Sequence, residues 1–237
     1  MTHVAHPFIQ RLGINRDWRS RWFAAEPKKF REYLRTDAAI RKLLRTRLKG
    51  MSVDEIEIER DDKALRVIIK TSRPGLVIGR SGEGATKLKS DVDMLLRKLK
   101  LEEKPEIKID IEEVRSPETS ASIVGQMVVE GLEKRMPFRR VLKQTVEKVM
   151  ANRDVEGIRI IMAGRLGGAD MARREELKKG RIPLQTLRAD IDFARVKAIL
   201  PYGTIGIKVW IYRGEVFADR KASAAEKTNL NRRGDAN

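Results

Sequence analysis

The sequence of 237 residues contains no cysteine and only two histidines. The absence of cysteine excludes a disulfide framework, thiolate metal sites and a cysteine nucleophile, and it is typical of a reducing compartment. Both histidines, His3 and His6, lie close to the N-terminus, so a histidine-based metal site or general base is not predicted. We therefore expect neither a cofactor nor a bound metal.

Long hydrophobic runs are also absent. No apolar stretch approaches the ~18 residues that a membrane span needs. The first apolar stretch is interrupted by Pro7, Arg11 and Arg16, so it does not resemble a signal peptide. These features predict a cytoplasmic protein without a membrane-spanning segment.

Basic side chains are in large excess. Lys and Arg number 51 against 34 Asp and Glu, which gives a formal net charge of +17. Such a protein favours a polyanion, usually nucleic acid; the alternative is an anionic membrane surface. The formal charge is +9 over residues 1–50, −2 over 51–118 and +10 over 119–237. The flanks therefore provide most of the expected attraction for RNA.

Hydrophobic periodicity predicts an α+β fold whose first unit has the element order α-β-β-α-α-β. The predicted elements are helices over 28–35 and 36–49, strands over 55–59 and 65–69, a short segment over 74–78, a helix over 83–100 and a strand over 107–111. Thr36 is the expected N-cap of the second helix, and Gly50 is expected to end it.

A second unit begins near Ser116, the expected N-cap of a helix to about Arg135. Pro137 is expected to start another helix, to about Met150. The pattern then predicts strands over 157–162, 186–199 and 205–212, with a long basic loop over 164–183. These two helices should pack on a mixed or antiparallel sheet.

The predicted domains are a basic arm with the first helix (1–37), a first domain (38–115), a second domain (116–217) and a disordered tail (218–237). Residues 1–20, like the tail, contain few apolar side chains that could hold them against the rest of the protein. Both segments are therefore expected to become ordered only on a partner.

One motif points to a specific interaction, the run Gly79-Arg80-Ser81-Gly82. Two glycines three residues apart allow the backbone to approach a phosphate ribbon, and Arg80 and Ser81 offer a cation and a hydroxyl. The helix that follows, which carries Lys87, directs free N–H groups to the same place. The run resembles the GXXG loop of a KH domain, and the element order is that of the type II KH fold. A tight helix–helix turn is the alternative, whereas a nucleoside-triphosphate loop is excluded because Ala85 follows Gly84.

An enzymatic alternative rests on Asp190 and Asp192, an Asp-x-Asp pair that could hold a divalent metal in a nuclease. The competing interpretation places both on the polar face of a strand, with Arg188 as the partner of one of them. We favour the structural interpretation because no histidine or third carboxylate accompanies the pair.

Several segments together resemble the bacterial small-subunit ribosomal protein S3 family, over roughly residues 3–217. The matching segments, in order, are His6-Pro7, Arg11–Ile14, Trp18–Phe23, Arg73–Gly75, Gly164–Asp170, Gly180–Leu184, Leu187–Phe193, Tyr202-Gly203 and Ile205–Ile211. The sequence departs from the family pattern at Phe8-Ile9, Arg174, Gln185 and Leu200-Pro201.

This resemblance implies a structural, non-enzymatic constituent of the small (30S) ribosomal subunit. It implies binding to rRNA of the subunit head, contact with ribosomal proteins ten and fourteen, and no homo-oligomer. It also implies that the protein lines, with other small-subunit proteins, the channel by which mRNA enters and supports mRNA unwinding. A free-standing KH-type RNA-binding regulator remains the alternative.

The resemblance assigns the channel contact to Arg139, Arg140 and Lys143. Helical periodicity agrees, because it places these cations opposite the apolar face of Phe138 and Val141. The cations of the basic loop are expected to contact rRNA phosphates; they are Arg165, Arg173, Arg174, Lys178, Lys179 and Arg181.

Overall fold

The structure, a computed structural model, describes residues 5–61, 64–99 and 105–217. The predicted tail, 218–237, lies outside the described residues, as do residues 1–4. The helices are α1 (Pro7–Gln10), α2 (Pro27–Arg47), α3 (Pro74–Ile78), α4 (Glu83–Leu99), α5 (Ala121–Glu133) and α6 (Phe138–Met150). The strands are β1 (Ser20–Arg21), β2 (Val53–Arg60), β3 (Ala64–Thr71), β4 (Glu106–Glu113), β5 (Gly157–Gly164), β6 (Arg173–Gly180), β7 (Ala189–Leu200) and β8 (Gly203–Glu215).

The first domain has the predicted order, from α2 through β4. Its sheet runs β1-β2-β3-β4, with β2 antiparallel to β3 and β4 parallel to it. Ile40 and Leu44 on α2 and Val92 on α4 are buried against strand residues such as Ile58 and Val67. The order and the parallel β3–β4 pair confirm the predicted type II KH fold.

The division between the first two predicted helices is wrong, because residues 27–47 form one helix. Thr36 does not cap it but lies inside it, where its hydroxyl donates to Glu32 O at 2.6 Å. The adjacent Asp37 is also buried and accepts hydrogen bonds from Trp22 Nε1 at 2.8 Å and Arg60 Nη2 at 3.0 Å. Thr36 is therefore satisfied within the helix and Asp37 by tertiary contacts, so neither residue marks the start of a helix.

The second domain is an antiparallel sheet of order β6-β5-β8-β7 covered on one side by α5 and α6. Val128 on α5 and Val146 on α6 are buried against Ile160 on β5 and Val209 on β8. This arrangement confirms two helices packed on an antiparallel sheet. Within the described parts of the chain, no helix combines the length and the hydropathy of a membrane span.

Part of the predicted basic loop is instead a strand. β6 pairs with β5 over eight residues, from Gly157 opposite Gly180 to Gly164 opposite Arg173. It is an edge strand in which Leu177 is the one hydrophobic residue, so it lacks the apolar alternation on which the prediction relied. The next strand, β7, begins at Ala189 rather than at residue 186.

The start of α5 also differs from the prediction. Residues 117–119 form a 3-10 turn, and Ser120 rather than Ser116 is the N-cap, with its hydroxyl accepting from Ile123 N at 3.3 Å. Arg213 holds the turn by donating two hydrogen bonds to Thr119 O, at 2.9 and 2.7 Å. A long-range contact with β8 therefore determines where this helix begins.

The premise that the N-terminal segment lacks anchors is wrong for residues 5–20, which dock on the protein itself. Arg11 is fully buried and its guanidinium donates to main-chain oxygens of Ala189 (2.6 Å), Thr186 (2.9 Å), Leu184 (3.0 Å) and Pro7 (3.0 Å). An arginine in this sequence pattern resembles a surface cation, so the prediction missed its role as an anchor.

The two domains meet where α5 lies beside β2. Ser122 Oγ and Gln126 Nε2 both donate to Val53 O, at 3.0 and 2.7 Å. Next to them, Ser120 Oγ donates to the carboxylate of Asp54. Burial raises the pKa of Asp54, and the nearby carboxylate of Asp192 raises it further.

Candidate nucleic-acid interface

The glycine loop between α3 and α4 has a backbone that glycine makes possible. Gly79 and Gly82 have φ values of +72° and +81°, and Ser81 between them also lies in the left-handed region, at +51°. A Cβ on Gly84 would lie 2.4 Å from Val77 O, so α4 can only begin against α3 with a glycine there. The loop is therefore built tightly on its inner side.

The outer side of this loop is open. A Cβ on Gly82 would meet nothing within 4 Å, and the Arg80 and Ser81 side chains are exposed. Lys87, one turn into α4, is exposed as well and pairs with Glu83 at 3.4 Å. An ion pair this exposed stabilises little, so Lys87 stays available to a phosphate. The structure thus brings the five predicted loop residues together at one exposed site.

A second cationic surface lies on α6. Val141, Leu142 and Val149 are buried, while Arg139, Arg140 and Lys143 project from the exposed side. Arg140 and Lys143 have no carboxylate within 4 Å among the described residues, whereas Arg139 lies 3.7 Å from Glu175 on β6. The amphipathic pattern therefore gave the correct orientation of this helix.

Because β6 is a strand, its cations separate onto two faces of the sheet. Arg173 lies on the α6 side, with its guanidinium 5.3 Å from the centre of the Phe138 ring. Lys179 lies on that side too, opposite Ile158 of β5, whereas Arg174 and Lys178 lie on the other. The predicted cluster of rRNA contacts is thus two clusters that cannot contact the same phosphates.

Arg165 has a role within the protein. It donates to Ala169 O at 2.9 Å and to Tyr202 O at 3.2 Å, and so closes the turn after β5. Arg181, directly after β6, is exposed, and its main-chain N–H donates to Glu156 O at 3.3 Å. Arg165 is therefore the least available of the predicted phosphate contacts.

The Asp-x-Asp pair is engaged by arginines and a helix start. Asp190 lies 2.8 Å from Arg16 Nη2, and Asp192 lies 3.2 Å from Arg213 Nη2. Asp192 also accepts the N–H of Ala121 at 2.7 Å, at the first residue of α5. Over residues 5–61, 64–99 and 105–217, no cluster of three potential metal ligands occurs.

These contacts support the structural interpretation of the Asp pair but correct its partner. Arg188 does not contact either aspartate; it pairs with Glu215 at 2.5 Å. The strand register explains this, because Ala189 at the start of β7 lies opposite Glu215 at the end of β8.

Three cations on β7 and β8 were not predicted from the sequence, namely Arg195, Lys197 and Lys208. They are exposed on the side of the second sheet opposite α5 and α6. In the sequence these cations alternate singly with apolar residues. Such a pattern is also typical of the solvated face of an ordinary strand, so it does not indicate a binding surface.

An exposed GXXG loop on a type II KH domain, joined to a second domain with cationic surfaces, defines an RNA-binding protein. Residues 39–119 match the model of the KH domain family, and residues 128–211 match the family described as ribosomal protein S3, C-terminal domain.

Relatives match along nearly the whole chain. The small ribosomal subunit protein uS3 of Caldicellulosiruptor bescii is 44% identical over 227 residues, covering 96% of this chain and 98% of the relative. That of Alcanivorax borkumensis is 47% identical over 216 residues, covering 91% and 90%. The chain therefore belongs to the small ribosomal subunit protein uS3 family, a family of structural, non-enzymatic ribosomal components.

Proposed function

We propose that this protein is a structural constituent of the small (30S) ribosomal subunit, that it binds rRNA of the subunit head, and that it acts in the cytoplasm. The observation that carries the proposal is the match to uS3 relatives over 96% of the chain, with both domains present. The exposed GXXG loop and the unpaired cations of the second domain provide the chemistry that RNA binding needs.

Filter binding of the full chain to rRNA of the subunit head tests this proposal. We expect an affinity that falls steeply with KCl, since each phosphate contact releases counterions. Failure to bind the rRNA even at low salt would contradict the proposal.

The finer part of the proposal concerns mRNA. Arg139, Arg140 and Lys143 would line the channel by which mRNA enters and help to position and unwind it. Their support is that Arg140 and Lys143 have no carboxylate within 4 Å among the described residues, while the opposite side of α6 is buried. Such cations bind a phosphate backbone of any sequence, as a channel for all messages requires.

Protein neighbours belong to the same proposal, and the family resemblance gives them as ribosomal proteins ten and fourteen. Trp18 and Phe23 support a protein contact near the N-terminus, because their side chains are 62% and 87% exposed. Exposed aromatic residues are enriched where proteins bind each other.

The variant Arg139→Ala/Arg140→Ala/Lys143→Ala tests the mRNA contact. Because the three side chains are on the surface, we expect subunit assembly to stay nearly intact. Translation through stable mRNA hairpins should slow more than translation of unstructured messages. A matched control, Arg139→Lys/Arg140→Lys/Lys143→Arg, keeps the charge and should behave as the wild type. Equal slowing on both messages would instead indicate a role in assembly or packing.

A further inference from the structure

The second sheet has a side opposite α5 and α6 that we call the open face. The N-terminal segment covers the part of this face around Phe193, whereas the part around Arg195, Lys197 and Lys208 is exposed. Strand register determines its residues, because antiparallel partners point to the same side of a sheet. Arg159 lies opposite Lys178, Ala163 opposite Arg174, Lys208 opposite Arg195, and Gly206 opposite Lys197. The cations of the open face are Arg159, Arg174, Lys178, Arg195, Lys197 and Lys208.

Acidic groups on the open face are few. Glu176 pairs with Arg159 at 2.7 Å and with Arg174 at 3.3 Å. The hydrogen bond from Arg159 lowers the pKa of Glu176, so this carboxylate is ionised and already engaged. In the described part of the chain, Lys178, Arg195, Lys197 and Lys208 have no carboxylate within 4 Å. The face therefore keeps an uncompensated positive charge.

The first sheet of the same protein shows a different arrangement. There Arg66 contacts the carboxylates of Asp110 and Glu59, and Lys70 contacts that of Glu57. On the open face, in contrast, Arg195 and Lys208 are directly opposite each other on paired strands. Like charges in that position destabilise a sheet, and a bound anion would relieve the repulsion.

The shape of the open face suits a broad anionic ridge. Its middle is flat, because Ala163 and Gly206 lie between Arg174 on one outer strand and Lys197 on the other. Three strand spacings separate those outer strands, or about 14 Å. A backbone could thus lie across the middle and meet cations on both sides.

The open face offers no stacking platform for bases. Its aromatic residues on the strands, Phe193, Trp210 and Tyr212, are only 8%, 5% and 4% exposed, and His6 packs edge-on against Phe193 at 4.8 Å. Single-stranded RNA is usually held by exposed aromatic rings, whereas a helix is held through its phosphates. This difference favours the backbone of a folded RNA helix.

We propose that the open face is a further contact surface for the phosphate backbone of an rRNA helix, independent of sequence. This inference rests on the proposed function and locates contacts that neither the GXXG loop nor α6 provides. The main cations of the open face are Arg195 and Lys197 on the outer strand β7 and Lys208 on β8, with Arg174 and Lys178 at the β6 edge.

The test uses the full chain with Arg195→Ala/Lys197→Ala/Lys208→Ala. The control, Lys134→Ala/Lys148→Ala/Arg153→Ala, removes the same charge from exposed positions in or next to α5 and α6. Filter binding to head rRNA over a range of KCl gives the slope of log affinity against log salt. Since each lost phosphate contact changes the slope by about 0.7 to 0.9, the open-face variant should have a slope shallower by about 2 to 3. The control should keep the wild-type slope.

A charge-retaining variant, Arg195→Lys/Lys197→Arg/Lys208→Arg, separates charge from folding. It should keep the wild-type slope, and a slope as shallow as that of the alanine variant would overturn the inference. An alanine variant with the same slope as its control would also overturn the inference. The proposed function would not be affected, because the wild-type protein would still bind the rRNA. Normal rRNA binding combined with loss of subunit incorporation would overturn it in favour of an acidic protein partner.

Discussion

Replacing Arg11 by alanine would release the N-terminal segment from the second domain. The guanidinium is fully buried and donates four hydrogen bonds, three of them to main-chain oxygens between Leu184 and Ala189. That stretch precedes and begins β7, so the anchor joins two segments more than 170 residues apart in the chain. Alanine leaves these oxygens without a donor in a place that water does not reach.

The expected loss follows from the groups left without partners. A buried polar group that loses its partner costs about 1–3 kcal/mol, and removing one member of a buried charged network costs about 3–5 kcal/mol. Detachment of the segment limits the loss, because water then reaches the oxygens. We therefore expect docking to weaken by about 3–5 kcal/mol, which is a factor of about a hundred or more in the closed-to-open ratio.

Native-state hydrogen exchange measures this ratio directly. The N–H groups of Asn15 and Arg16 both donate to Arg11 O at 3.0 Å, so they report on docking. Their exchange should accelerate about a hundredfold or more in Arg11→Ala, while core amides of β8 stay protected. Arg35→Ala, at an exposed arginine on α2, is the matched control and should leave them unchanged. Unchanged exchange of Asn15 and Arg16 in Arg11→Ala would show that Arg11 does not hold the segment in place.

Three further predictions concern the N-terminal segment, the domain boundary and the glycine loop. Burial and the nearby charge of Arg195 lower the pKa of His6 below 6.5. The stability that the neutral His6 contributes is therefore present above pH 6.5 and is lost as pH falls towards the folded-state pKa. In thermal unfolding, the midpoint temperatures of the wild type and His6→Gln should become more similar as the pH is lowered. Because the pKa of Asp54 is raised, its ionised form lowers the stability of the folded protein at pH 7. Asp54→Asn should therefore be more stable than the wild type in urea unfolding at pH 7. The difference in stability should decrease as pH falls through the folded-state pKa of Asp54. Gly84→Ala places a Cβ 2.4 Å from a main-chain oxygen and should lower the free energy of unfolding by about 1–3 kcal/mol, despite alanine's better helix propensity. Gly75→Ala is the control, because a Cβ there meets nothing within 4 Å and should leave stability unchanged. Equal denaturation midpoints for the two glycine variants would contradict this.

The KH architecture and its loop could be predicted from the sequence because their signals are local. Ile56 and Ile58 alternate with charged residues on β2, and both are buried as that alternation requires. Gly79 and Gly82 have positive φ values, which glycine adopts readily, so a glycine pair in the sequence predicts a loop with this backbone conformation. The orientation of α6 follows in the same way from its helical period.

Features that depend on remote partners could not be predicted. β6 is held by main-chain pairing with β5, and its side chains carry almost no hydrophobic signal. Arg11 is buried because its guanidinium binds main-chain oxygens near Ala189, and the residues around Arg11 in the sequence do not indicate this contact. The separation of Arg174 from Arg173 onto two faces required the strand register.

Sedimentation of a cell lysate on a sucrose gradient, with immunodetection of the chain, shows whether the protein is bound to ribosomes. We expect the protein in the small-subunit and whole-ribosome fractions, where it should stay after a moderate salt wash. It should be released from the subunits at high salt, because phosphate contacts supply most of the affinity. Recovery of the protein at the top of the gradient, separate from ribosomes at low salt, would instead indicate a free-standing RNA-binding regulator.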